Sequence, residues 1–520
     1  MRHARTLAIA LSGLEGTVVD VEADVSAGLP AFSLVGLPDS SMLQARDRVR
    51  AAAGRSGASL APRRITVNLQ PAWMPKHGSG FDLAIAVAVL AAQEVIDVSG
   101  PAQVVHLGEL GLDGRLRPVP GVLPALIAAR QAGVSRAIVP SANLSEAQLV
   151  DGIEVIGANS LGEVLHQWGA DLEVPDLPSY ESGFHPSRDQ QEHSAGASPS
   201  HPTPADFSDV LGQPQARCAA EVAAAGGHHL LMLGPPGAGK TMIASRLPGI
   251  LPSLTEEDAL AVSAVHSVCG RFDASSGLIR RPPFENPHHT ATPASIVGGG
   301  SGTARPGAVS RAHAGVLFLD EAPEFSASVL EALREPLETG DVSIHRARGV
   351  TRYPARFQLV LAANPCPCGR GHGKGADCTC TPGQRRRYLT RLSGPILDRI
   401  DMRVGVSAVD LRAHGQEIPE SSAVIARRVQ AARQRQHERL APHGIHLNAQ
   451  VPGSLLRGAL APAAEHRRLL EKALTSGALT LRGHDRVLRL AWTLADLDGT
   501  DRPDADHIGR ALTLRGGELQ

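Results

Sequence analysis

Apolar and polar positions alternate in short blocks over the first 172 residues. Thr17-Val18-Val19-Asp20-Val21-Glu22-Ala23-Asp24-Val25 partly alternates with the two-residue period of a strand. Arg64–Leu69, Gln103–Leu110 and Ala137–Pro140 also read as strands, while Asp82–Ala92 and Val122–Ala132 read as helices. This rhythm predicts a mixed α/β domain over residues 1–172. Further on, the apolar runs His229–Leu233, Gly315–Leu319 and Phe357–Ala363 predict buried strands. A helix is predicted to start within Met242–Leu247, and another over Ala327–Thr339 with Val329, Leu330, Leu333 and Leu337 on one face. The last stretch reads as helices, including Ser421–Leu440, Ala463–Thr475 and one running from Arg482 through Leu490 and Leu494.

Between these blocks, residues 173–205 are rich in Pro, Ser, His and charge and have almost no aliphatic side chains. Such a segment buries too little apolar surface to offset its ordering entropy, which predicts a flexible linker. The remaining boundaries fall at 206–408 and 409–520. A chain of 520 residues holds about three or four domains.

Chemistry enters at Gly234-Pro235-Pro236-Gly237-Ala238-Gly239-Lys240-Thr241, a complete G-x-x-x-x-G-K-[ST] phosphate loop between a strand and a helix. Its glycines permit a tight turn that converges backbone N–H groups on phosphate oxygens. Lys240 adds a positive charge and Thr241 a hydroxyl for Mg2+. The strand ending at Leu319 leads into Asp320-Glu321. An acidic pair there predicts a Mg2+-holding Asp320, acting through the metal's water shell, and a Glu321 that deprotonates the attacking water. Asn364, at the tip of the next strand, is predicted to sense the γ-phosphate or the water. Together these residues predict a nucleotide triphosphatase using ATP and Mg2+.

Charge refines the choice of partner. Lys and Arg number 51 and Asp and Glu 52, for a net charge of -1, so any basic surface must be local. It is concentrated between His345 and Arg391, where ten Lys or Arg face one acid, a local charge of +9. Val342–Val350 reads as a hairpin with Arg346 and Arg348 near its tip. This strip is the footprint of a reader of a phosphate backbone, predicting sequence-independent, salt-sensitive contact. The competing reading is a solvated charged face, with Arg385, Arg386 and Arg387 serving subunit contacts. Aromatic residues make up only 3% of the chain, which argues against rows of stacked bases.

Four of the six cysteines cluster within the strip as Cys366-Pro367-Cys368 and Cys378-Thr379-Cys380. Four thiolates on a Gly-rich loop can close a structural Zn2+ site, with His372 an alternative ligand. Too few for a disulfide scaffold, the cysteines point to a reducing compartment. Met1–Ala10 superficially resembles a signal peptide, but its apolar part is short and no small-residue cleavage site follows. The longest apolar run, Leu83–Ala92, is too short to span a bilayer. A soluble, cytoplasmic protein is the expectation.

Taken together, Gly234–Thr241, Val316–Glu321, Asn364–Gly369 and Ser393–Asp401 resemble the AAA+ ATPases of the magnesium-chelatase group, in particular the ComM/YifB family. The resemblance implies an AAA+ P-loop parallel-sheet core with a C-terminal helical lid of the magnesium-chelatase type, preceded by a Lon-protease-like (ribosomal S5 domain 2-like) α/β domain. Arg399 then matches the arginine finger that enters a neighbouring subunit's site, and Arg482 the lid's second sensor. A ring, a homohexamer in relatives, is implied, with helicase or branch-migration output supporting recombination during natural transformation. The segments with Pro287-His288-His289-Thr290 and Gly298–Gly302 match an insertion facing the ring's pore. Within the first domain, Lys76–Ala86 and Gly108–Gly114 carry the Lon-like resemblance. Asp82 stands where the serine nucleophile would sit, with Ser79 and Lys76 nearby, so a scaffold or binding surface is expected rather than a peptidase. A chelatase-like motor remodelling a protein partner is the alternative.

Overall fold

The computed structural model of the chain describes residues 2–172, 205–300, 304–346, 349–371, 378–392, 394–407, 419–477 and 479–516. Residues 173–204 of the linker expected over 173–205, together with Arg348 and His372, lie outside the described residues.

Two sheets organise the fold. The first has seven strands in the order Ala31–Val35, Arg64–Gln70, Glu15–Ser26, Arg2–Ser12, Val105–His106, Arg136–Pro140 and Glu154–Ala158. Glu15–Ser26 alternates inside and outside, burying Val19, Val21, Ala23 and Val25. The helix Asp82–Ala92 is apolar nearly all round and buried along its whole length, packed against the two longest strands. The Gln103–Leu110 run is shorter than its pattern suggests. A 3-10 turn occupies Gly100–Gln103, and only Val105–His106 joins the main sheet.

The second sheet has five strands, all parallel, in the order Phe284–Glu285, Val316–Leu319, Gln358–Ala363, Leu230–Leu233 and Met402–Gly405. Its central strands are buried on both faces, so they read as continuous apolar runs. In register, Leu233 lies beside both Ala363 and Gly405, and Leu319 beside Leu361. The C-terminal ends of these strands therefore form one edge, where the phosphate loop, Asp320 and Asn364 all emerge.

The helix expected over Ala327–Thr339 is two, Ala327–Ala332 and Arg334–Thr339. Pro336 has no N–H and its ring crowds the carbonyl of Ala332, so the first helix stops short. Val329, Leu330 and Leu333 still share one buried face. The helix expected from Ala463 begins only at Arg468. Ser422–Leu440 and Leu481–Asp498, two of the C-terminal helices, pack together and against Pro214–Gly226 of the phosphate-loop unit.

The two sheets are joined through side chains. Glu146 accepts from Ser267 of the helix Glu256–Val268, and the Gly121 amide donates to the Ser267 carbonyl at 3.2 Å. Leu14, at the turn between the first two strands, packs against the cores of both units. Neighbouring Gly13 has φ +71°, and a Cβ there would stand 2.7 Å from the Arg352 carbonyl oxygen.

Candidate nucleotide site

The phosphate loop is shaped by glycine at three positions for two different reasons. A Cβ on Gly234 would fall 2.0 Å from the carbonyl oxygen of Val406, so the loop can leave the sheet only without a side chain. Gly237 and Gly239 have φ of +76° and +94° and face open space, with nothing within 4 Å of a built Cβ. Left-handed backbone next to an open concavity is the form of a phosphate cradle. Gly239 then starts the helix Lys240–Arg246 without a side-chain cap, leaving its first amides free of side-chain acceptors. Ala238 is buried, and its carbonyl accepts from Gln213 Nε2 at 3.2 Å.

Lys240 is 7% exposed. Its Nζ donates to the carbonyls of Gly234 at 2.7 Å and Pro235 at 2.8 Å, and to Asn364 Oδ1 at 3.1 Å. Burial pushes its ammonium below the ordinary lysine value, while Asp320 and Glu321 act in the opposite direction. The Thr241 hydroxyl donates to Asp320 Oδ2 at 2.6 Å. The other carboxylate oxygen, Asp320 Oδ1, accepts the Glu321 amide at 2.9 Å. Lys240, Thr241, Asp320, Glu321 and Asn364 thus converge at one sheet edge.

Glu321 itself sits at φ +50°, ψ +43°. For a residue with a Cβ this left-handed turn costs about 1–2 kcal/mol, and such strain is concentrated at functional positions. Two neighbours were not foreseen from the sequence. His289 Nδ1 lies 3.5 Å from Glu321 Oε2, so this histidine faces the acidic tip, while His288 Nδ1 lies 2.8 Å from the Thr290 hydroxyl. Tyr388 is buried, and burial, Glu324 and Glu321 push its hydroxyl up to about 12, keeping it a proton donor.

Arg399 and Arg482 lie elsewhere. Arg399 precedes Met402–Gly405, at the end of the sheet opposite the phosphate loop, where it donates to the Pro395 carbonyl at 2.7 Å and pairs with Glu338. Arg482, at the start of its helix, donates to Asp398 at 2.7 Å. The structure therefore groups Arg482 with Arg399 rather than with Lys240.

The four clustered cysteines come together, with all four Sγ atoms within 4.8 Å of one another. Cys366 Sγ is 3.3 Å from Cys368 Sγ and 3.6 Å from Cys378 Sγ. Tetrahedral thiolate ligation of zinc, with bonds of about 2.3 Å, puts sulfurs about 3.8 Å apart, so the donor set and its spacing fit a closed Zn2+ site. The backbone N–H of Arg370 lowers the pKa of the Cys368 thiol, while burial raises that of Cys366. A Cβ on Gly369 would strike the Pro236 ring at 2.7 Å, so this loop rests directly on the phosphate loop.

The basic hairpin is present as antiparallel strands Asp341–Arg346 and Gly349–Pro354, with Arg346 exposed. It is anchored by buried Tyr353, whose hydroxyl donates to the Ala304 carbonyl at 2.7 Å.

In the N-terminal unit, Lys76 is fully buried, and its Nζ donates to the carbonyls of Gly36, Leu69 and Pro71. Ser79 instead donates to Glu109, and buried Asp82 is paired with Arg48 at 2.6 Å. The Lys76 amine is occupied by backbone carbonyls and Ser79 faces a carboxylate, so these two residues are not paired with each other.

Three family profiles cover most of the chain. That described as "Subunit ChlI of Mg-chelatase" matches residues 21–143, "Magnesium chelatase, subunit ChlI" matches 206–414, and "Magnesium chelatase, subunit ChlI C-terminal" matches 419–515. A protein of Mycobacterium tuberculosis (strain ATCC 25618 / H37Rv) is 48% identical over 515 residues, 99% of each chain. YifB of Escherichia coli (strain K12) is 39% identical over 506 residues, and the competence protein ComM of Haemophilus influenzae is 38% identical over 506 residues, each covering 97% of this chain and 95% of the relative. No helix among the described residues is long and apolar enough to cross a membrane. With a five-stranded parallel sheet carrying a phosphate loop, and similarity that runs nearly end to end, the chain belongs to the ComM/YifB family of magnesium-chelatase-like AAA+ proteins.

Proposed function

We propose that this protein is an ATP-hydrolysing ring motor, a homohexamer, that translocates on DNA and drives unwinding or branch migration during recombination of incoming DNA. The convergence of Lys240, Thr241, Asp320 and Asn364 on one sheet edge carries the ATPase reading. Near full-length similarity to a competence protein, together with the exposed Arg346 on a basic hairpin, supports DNA as the partner.

In this reading Lys240 exchanges its carbonyl partners for phosphate oxygens. Thr241 and Asp320 hold Mg2+, which supplies charge neutralisation at the phosphates. Glu321 takes the proton of the attacking water, and Asn364 orients the water or the γ-phosphate. Arg399 and Arg482, at the far end of the sheet, serve the pocket of the adjacent subunit. Arg346 and Arg348 follow the DNA backbone in the pore. Cys366, Cys368, Cys378 and Cys380 hold a structural Zn2+ that stiffens the loop lying on Pro236. The residues beyond 408 act as the helical lid, and the Lon-like unit acts as a scaffold.

The test is ATP hydrolysis by the purified full-length chain with Mg2+ and zinc, alone and with single-stranded, forked and three-stranded DNA. Stimulation and strand displacement are expected. Hydrolysis indifferent to every DNA, and to Arg346→Ala, would instead favour a protein substrate, as in a chelatase-like remodelling motor.

A further inference from the structure

The segment Asp398–Asp401, which carries Arg399, is gripped by the last two helices of the chain. Arg482 donates to Asp398, and Arg486 Nη1 donates to Asp401 Oδ1 at 3.2 Å. Arg515, from the helix Ala505–Gly516, donates to the carbonyls of Ile400 at 2.9 Å and Asp401 at 3.3 Å. The Arg486–Asp401 pair, with side chains 11% and 6% exposed, is far more enclosed than the Arg482–Asp398 pair. Asp401 also accepts the His229 amide at 3.1 Å and faces His228 Nδ1 at 3.6 Å. Burial alone would raise its carboxyl, but His228, His229 and Arg486 outweigh that and hold it well below the ordinary range. Removing one partner of such a pair leaves a buried charge uncompensated.

Arg399 is also largely enclosed, its side chain 15% exposed, but its own contacts are few. The guanidinium donates to the Pro395 carbonyl and pairs with the exposed Glu338, and its buried Nε has no hydrogen-bond partner among the described residues. Two residues of chain span at most about 7 Å, so the place of Asp401 limits where Arg399 can reach. We propose that Arg486, acting through Asp401, is a positioning residue for Arg399, and that the C-terminal helices thereby set how this arginine is presented to a neighbouring subunit. The inference rests on the reading of Arg399 as acting in that neighbour's pocket. It makes the helix Leu481–Asp498 a lever whose movement in one subunit alters hydrolysis in the next.

The experiment is a double-mutant cycle on the full-length chain, reading kcat and KM for Mg-ATP. Arg486→Gln should lower kcat about 10- to 100-fold and leave KM nearly unchanged, with Arg486→Lys intermediate. Added to Arg399→Ala, Arg486→Gln should cost little more. Mixed with excess Lys240→Ala subunits, whose Arg399 is intact, Arg486→Gln subunits should regain rate. Losses that multiply in the double variant, or a defect confined to KM, would overturn the proposal. So would a failure of rescue where Arg399→Ala is rescued. Thermal unfolding monitors folding, and Arg486→Lys carries the same cycle if the glutamine variant is unstable. Full activity of Arg399→Ala would sink the parent reading, and this proposal with it.

Discussion

The Thr241 hydroxyl reaches Asp320 across an intervening strand, Gln358–Ala363, and donates to it at 2.6 Å. The two residues proposed to hold Mg2+ are thus already in register, joined by one proton. Asp320 is proposed to act on the metal through water, and losing such an outer carboxylate typically costs about 10- to 100-fold in metal affinity. Asp320→Asn is therefore expected to raise the Mg2+ concentration for half-maximal ATPase by about tenfold or more. A magnesium titration of the two proteins checks this.

Glu321 is proposed to act on the water and not on the nucleotide's phosphates. Glu321→Gln should keep ATP affinity and lower turnover by about 10²- to 10⁴-fold. Fluorescent nucleotide titration and steady-state hydrolysis, measured on the same preparation, separate binding from chemistry.

The cysteine cluster should carry one zinc per chain, because four thiols leave no open ligand position. Metal analysis of the purified protein should find it, and Cys366→Ser should reduce it. Cys366 is the buried member of the set. Since the loop lies against Pro236, zinc loss should also weaken nucleotide binding, which a chelator titration followed by ATP binding would register.

Glu146 predicts a pH dependence of domain docking. Burial raises its carboxyl above the ordinary value, with hydrogen bonds from Ser267, the Leu123 amide and Asn143 opposing. The folded state therefore binds this proton more tightly than the unfolded chain. Its stabilisation is complete below the unfolded value and is lost as pH rises through the folded one. Glu146→Gln, neutral throughout, should be more stable than the parent above that window and should flatten the pH slope. Urea unfolding between about pH 4 and pH 8 tests it.

Arg346→Ala should weaken DNA binding across all sequences and reduce the steepness of its salt dependence by about one counterion. Basal ATPase without DNA should be unchanged. A salt series of binding isotherms separates this from misfolding.

The phosphate loop and the acidic strand tip were legible because each is contiguous, and because apolar strands on either side fix which way it faces. The Arg486–Asp401 pair, 85 positions apart, was not, since nothing local to either residue records the other. The same holds for the proximity of His289 to Glu321 and for the pairing of Glu338 with Arg399. Pro336 was visible in the sequence, yet the regular spacing of Val329, Leu330, Leu333 and Leu337 argued for one helix. The split keeps that apolar face while sacrificing backbone continuity. Lys76 and Ser79, close in sequence, point to different partners because the carbonyls of Gly36, Leu69 and Pro71 surround the amine.

Leu14 belongs to two cores, and the Glu146–Ser267 contact closes the seam between them. Cutting the chain in the linker would consequently not release two finished bodies. A fragment beginning at 205 would bare Ala264, Leu260 and Phe272, which now rest on the N-terminal unit. Its stickiness would come from that wound. To silence the N-terminal unit without the wound, changes on its solvent face are the better tool, with the seam left whole.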